Sequence, residues 1–244
     1  MSAAAGSWFG DAWSDITTPQ PVPSTAVVLG TAAVVLVILA VPVAWHVARH
    51  GLTIVHEAFH AGVAVLVGRR LSGIKVHSDT SGLTVSSGKP RGPGMVATAA
   101  AGYTGPALLG LGAAALLSQG YAVALLWLLL VVLVLVLVQI RNWYGLWSVL
   151  VTGALVVAVT VWGSSQVQLL FAYLVTWFLL LGAPRAVIEM QAQRRRRRGA
   201  ADTSDAGMLG RLTHTPGGLW VGILFLLCVG ALVLGASWLA DLQL

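Results

Sequence analysis

Charged residues are scarce in this chain. Only 9% of its 244 residues are Asp, Glu, Lys or Arg, against 57% apolar, so no polar surface can cover the apolar content and a water-soluble globular domain is excluded. There is one cysteine, Cys228, inside an apolar run, which rules out an internal disulfide and leaves cysteine-based zinc or redox sites without ligands. Any metal must draw on histidine, carboxylate or water. Acids number eight against 14 basic residues, a formal net charge of +6, and in so apolar a chain that balance reports topology rather than nucleic-acid binding. Residues 1–24 carry Asp11, Asp15 and three prolines but no Lys or Arg, so they lack the basic leader of a signal peptide and read as a polar tail.

Long apolar runs fill the rest. Crossing a bilayer takes about 20 apolar residues, and seven segments approach that: Thr25 to Trp45, Arg49 to Val67, Gly94 to Leu117, Tyr121 to Ile140, Tyr144 to Gly163, Val167 to Ile188 and Gly217 to Leu239. The second is short, so it either is re-entrant or begins earlier, near Pro42. The expectation is an all-α polytopic membrane protein of about seven transmembrane or re-entrant helices, with residues 25–240 forming one membrane domain. A cytoplasmic N-terminus and external C-terminus place 13 of the 14 basic residues inside and leave only Arg49 outside, as the positive-inside bias requires.

Two loops stand out. Within 71–91, Ile74 and Val76, then Asp79-Thr80-Ser81-Gly82, then Leu83 and Val85 form two alternating runs around a turn cluster, predicting a small cytoplasmic β-hairpin. The loop 191–216 holds Arg194 to Arg198, followed by Asp202, Ser204, Asp205 and His214. An arginine run beside the inner leaflet is favoured by anionic lipid, and it has no interleaved aromatics for stacking bases. Its expected partner is the bilayer with anionic inner-leaflet lipids, not nucleic acid. Trp45, Trp143 and Trp238 fall near span ends, as interfacial anchors do.

The chemistry concentrates in His56-Glu57-Ala58-Phe59-His60, an H-E-x-x-H box in a stretch with no other acid. Residues four apart on a helix lie about 40° apart around the axis and one turn up, so His56 and His60 can offer imidazoles to one metal. Glu57 then lies within reach of a water acidified by that metal. A carboxylate in an apolar span costs roughly 2.5–3.5 kcal/mol on insertion scales, which a purely structural Glu57 leaves without return. Zn2+ suits such a ligand set.

Val55-His56-Glu57-Ala58-Phe59-His60-Ala61 resembles the metal-binding helix of the site-2 proteases, polytopic intramembrane zinc metalloproteases, in the compact bacterial form without a PDZ domain. The hairpin resembles that family's β-structure near its active site, and Ala101-Gly102-Tyr103-Thr104-Gly105-Pro106-Ala107-Leu108 resembles a small-residue segment of its next core span. The resemblance implies a zinc metalloendopeptidase with His56 and His60 as ligands and Glu57 as general base. It also implies a membrane-spanning protein substrate, such as an anti-sigma factor or a signal-peptide remnant. The family's usual third ligand, an aspartate in a Leu-Asp-Gly motif, is missing; the corresponding region is Arg141-Asn142-Trp143-Tyr144-Gly145. Of the acids expected on the cytoplasmic side, Asp79, Glu189, Asp202 and Asp205, the favoured ligand is Asp205. Ser204-Asp205-Ala206 precedes Met208, Leu209 and Leu212, spaced to fold back as a helix, and compact relatives share a similar motif. His77 and His214 are fallback ligands.

Asn142, the one asparagine, either donates to the oxyanion of a tetrahedral intermediate or caps the helix starting at Trp143. The glycines Gly102, Gly105, Gly110 and Gly112 read first as ordinary helix-packing positions. Two other classes stay in play: a non-catalytic membrane scaffold retaining the protease fold, for which the missing motif argues, and a metal transporter, which needs polar residues on several spans.

Overall fold

The computed structural model describes residue 10, residues 13–196 and residues 202–240. Most of the expected tail after residue 12 is therefore described, while Asp11, Arg197 and Arg198 lie outside the described residues. Helix α1 spans Thr25–Ala40 and α2 Pro42–Leu66. Strands β1 (Arg70–Val76) and β2 (Gly82–Ser87) follow. The remaining long helices are α3 (Pro93–Ser118), α4 (Ala122–Gln139), α5 (Trp143–Trp162), α6 (Ser165–Arg196) and α8 (Gly217–Ala240), with the short α7 (Asp205–Thr213) between the last two. The chain is an all-α polytopic membrane protein with one small sheet.

Among the described residues, five helices, α3, α4, α5, α6 and α8, are each long and apolar enough to cross a membrane. Helices α1 and α2 pass that test only together, and they meet at a bend of 106°. Pro42 accounts for the break, because a proline ring clashes with a preceding helical turn and cannot donate to it. The second helix thus begins at Pro42, the earlier of the two expected starts.

As one bent pair, α1 and α2 make a sixth candidate span. Gln20, just before α1, is held by the α3–α4 turn: its N–H donates to Gly120 O at 2.8 Å, and its Oε1 accepts from Ala122 N at 3.0 Å. Val28 and Leu39 of α1 share one apolar core with Leu117, Ala122 and Leu239. Arg185, midway along α6, donates to Leu39 O at the end of α1. Helix α1 therefore starts beside the α3–α4 turn and ends against Arg185 of α6, and α2 continues from there to the hairpin. Residues 20 and 239 thus lie at the same end of the bundle.

Arg49, near the start of α2, has its partner within the bundle. Its Nη1 lies 3.4 Å from Glu189 Oε2 on α6, whose Oε1 accepts from Trp45 Nε1 at 2.6 Å and from Arg185 Nε at 3.2 Å. Arg185 also stacks 4.5 Å over the Trp45 ring. Trp45 is thus a buried partner of an ion cluster rather than an interfacial anchor, whereas Trp143 is 87% exposed, as an anchor should be. The cluster explains why α6 runs past the expected end at Ile188: its charges find partners within the bundle, as ionisable groups at membrane depth must.

The hairpin is antiparallel, with Val76 opposite Gly82 and Ile74 opposite Thr84. It lies against α2, and a third segment extends its β1 edge, where Ile140 bridges Ile74 in parallel and Arg141 N donates to Ile74 O at 2.9 Å. Ile54 and Ala61 of α2, Ile74 and Val76 of β1, and Val136, Ile140 and Val149 form one apolar cluster beneath it.

Candidate metal centre

His56 and His60 project from one face of α2 toward α3 and α7. Their Nε2 atoms are 3.1 Å apart, and each lies 3.2 Å from Asp205 Oδ2. Two nitrogens and a carboxylate oxygen thus form a nearly equilateral triangle. Tetrahedral zinc with bonds of 2.0–2.1 Å has ligand–ligand edges of roughly 3.3 Å, so donor chemistry and spacing both fit the ion.

Each corner is held from behind. His60 Nδ1 is 2.6 Å from Thr98 O, and a carbonyl only accepts, so Nδ1 carries the proton and Nε2 presents its lone pair to the centre. The Tyr103 ring meets His56 edge-on, 4.6 Å between centroids. Asp205 opens α7, whose N-cap Ser204 Oγ accepts from Gly207 N at 3.1 Å. Asp202 braces that cap: its Oδ1 accepts from Ser204 Oγ at 2.6 Å, and its Oδ2 accepts from Arg194 Nε at 2.8 Å. Partial burial raises the Asp202 carboxyl's pKa, but the Ser204 and Arg194 bonds prevail and hold it below the usual carboxylate range. The apolar spacing after Asp205 does fold back, with Ala206 and Leu209 buried against α3, α6 and α8.

Gly102 of α3 makes the room. A Cβ there would stand 2.3 Å from His60 Nε2 and 2.5 Å from His56 Nε2, and one at Gly105 would stand 2.2 Å from the Phe59 ring. These two glycines therefore set the approach of α3 to the histidines, while Gly110 faces Leu180 and Gly112 faces open space.

Glu57 is 4% exposed, beside the triangle. Thr84 Oγ1 on β2 donates to Glu57 Oε2 at 2.6 Å, and a Cβ at Gly82 would stand 2.3 Å from Oε1. The hairpin is thus the clamp on this carboxylate. Histidines, Glu57 and Asp205 all line a cavity of about 590 Å³ that Arg49, Thr53, Thr80 and Tyr103 also border, and Asp79, Ser86, Gln193 and Asp202 give it polar walls.

Fallback ligands His77 and His214 stay apart from the triangle. His77 is exposed in the hairpin turn, and His214 ends α7 in a left-handed conformation. Asn142 occupies the N-cap position of α5 without capping it. Its Nδ2 donates to Val76 O at 2.7 Å and its Oδ1 accepts from Val76 N at 3.2 Å, so its amide acts as one more rung on the β1 edge. Thr84 and Thr98 carry no motif, and Tyr103 lies in the small-residue segment without having been singled out; their roles arise from helix and hairpin contacts distant in sequence.

The Peptidase M50B-like family matches residues 29–235, from α1 to near the end of α8. The chain belongs to that family. M50B-like membership makes it an intramembrane metalloprotease in general terms and agrees with the resemblance read from the box. No match is found among curated proteins or among solved structures.

Proposed function

We propose that this M50B-like protein is a zinc-dependent endopeptidase that cleaves membrane-spanning protein substrates within the bilayer. The observation that carries the reading is the triangle of His56, His60 and Asp205 with Glu57 clamped beside it in one polar-walled cavity. Zinc, when bound, polarises the scissile carbonyl and acidifies water. Glu57 takes the proton as water adds to the carbonyl carbon, then delivers it to the leaving nitrogen as the C–N bond breaks. Thr84 keeps the Glu57 carboxylate in place for both transfers, and the Thr98 carbonyl keeps His60 in the ligating tautomer. The basic, loop-rich end of the bundle is assigned to the cytoplasm, with residues 20 and 239 at the external face of the cell membrane. The polar cavity walls near that end provide the path for water.

The scaffold alternative rested on a missing third ligand, and Asp205 supplies a carboxylate at the distance a ligand needs. The test is zinc per polypeptide in detergent-purified protein, for wild type, His60→Ala and Asp205→Ala. Near-stoichiometric zinc that falls in both variants is expected. A folded wild type that binds no zinc returns the scaffold to first place.

A further inference from the structure

Thr80 sits at the tip of the hairpin with φ of 67°, a left-handed conformation that a β-branched residue rarely adopts and that persists only when its surroundings impose it. The surroundings are visible. Thr80 O accepts from Thr53 Oγ1 at 2.9 Å, Thr80 N donates to His77 O at 3.1 Å, and Asp79 Oδ1 accepts from Ser81 N at 3.0 Å. Glycine would meet the backbone requirement without strain, so the side chain needs its own reason to be there. Thr80 is 3% exposed, and its Oγ1 has no hydrogen-bond partner among the described residues. Buried hydroxyls without partners are rare and call for an explanation. Thr80 borders the same cavity as His56, Glu57 and His60.

We infer that Thr80 Oγ1 is a substrate-binding group, donating its proton to a main-chain carbonyl of the peptide held in the cavity. The inference rests on the protease reading. Its partner Thr53 lies four residues before Glu57, about 6 Å along α2, and an extended peptide advances roughly 3.3 Å per residue, so the carbonyl belongs to a residue about two from the scissile bond. On this wall the Glu57 and Asp79 carboxylates only accept, and the Thr53, Ser81 and Thr84 hydroxyls already donate to Thr80 O, Asp79 Oδ1 and Glu57 Oε2, which leaves the Thr80 hydroxyl free to donate. A substrate helix that unwinds for cleavage frees its carbonyls, and a fixed hydroxyl takes one of them.

The experiment uses zinc-loaded, detergent-purified protein and two probes. One is a phosphinic pseudo-tetrapeptide of leucines, extending two residues to each side of the phosphinate; the other is acetohydroxamate, which reaches only the metal. Thr80→Val removes the hydroxyl and keeps the shape, Thr80→Ser restores it, and Thr80→Gly removes it while relieving the backbone. Val and Gly variants are expected to bind the pseudo-peptide at least tenfold more weakly, with acetohydroxamate affinity and zinc content unchanged and Ser within about twofold of wild type. If Thr80→Val unfolds, the Gly variant decides, since it has no strain to hold. Unchanged pseudo-peptide affinity in Val and Gly overturns the inference and leaves the metal reading standing. A wild type that binds neither probe removes both.

Discussion

Glu57 and Gly102 show how closely single side chains are specified around this centre. Glu57 is apart from the ligand triangle yet clamped by Thr84, so charge removal should separate binding from chemistry. Glu57→Gln is expected to retain zinc and lose cleavage by roughly 10²–10⁴-fold, the range of a general acid–base group, as measured on a reporter membrane protein beside zinc analysis. Loss of zinc in that variant instead makes Glu57 a ligand and overturns its assignment. Gly102→Ala puts a methyl group within 2.5 Å of both imidazole nitrogens, and neither ring can retreat without leaving Thr98 or Tyr103. Zinc affinity is expected to fall about 10–100-fold, as when an outer-shell support is lost, with little change in the metal-free protein's melting temperature. Competition with a fluorescent chelator checks it.

At the scale of elements, the third ligand depends on a loop being fastened. Asp202 joins Arg194 at the end of α6 to Ser204 at the cap of α7, so Asp205 inherits its position from a bond three residues upstream. Asp202→Asn should loosen α7 and weaken zinc binding about tenfold. The pH dependence has a definite sign. The folded carboxyl titrates below the usual Asp range, so its contribution is complete above that range and disappears as pH falls through the depressed value. Melting of metal-free wild type and Asp202→Asn should therefore differ at pH 5 and converge only once the pH has fallen below the ordinary Asp range. A gap that closes already between pH 5 and pH 4 contradicts the tie. Elements were also where sequence was most and least informative. The alternation around Asp79 to Gly82 located the hairpin, and the spacing of Met208, Leu209 and Leu212 anticipated α7. Thr84 on Glu57 and Asn142 on Val76 were not legible, because such bonds depend on how the hairpin lies on α2, which no local pattern encodes.

For the whole molecule, seven apolar runs were visible in the sequence, and the structure joins the first two into one bent pair. Hydropathy measures whether a segment tolerates lipid; it does not register that α1, at 16 residues and about 24 Å, is too short to span a core of about 30 Å. Pro42 was the local clue, and the bend of 106° is its result. The positive-inside count does not choose between six and seven crossings, since the hairpin, Arg141, Arg194 to Arg196 and Arg211 share one face under either parity, and Arg49 has its partner in Glu189. Six crossings place both ends of the bundle on the face away from the arginines. Single cysteines in a Cys228→Ser background test this in intact cells with a membrane-impermeant maleimide. Thr18→Cys and Asp241→Cys should label without permeabilisation, and Ser87→Cys only after it. Labelling of Asp241→Cys but not Thr18→Cys would mean that α1 and α2 cross separately, and the bent pair would then have to open into a hairpin that its bonds to Gly120 and Arg185 do not allow.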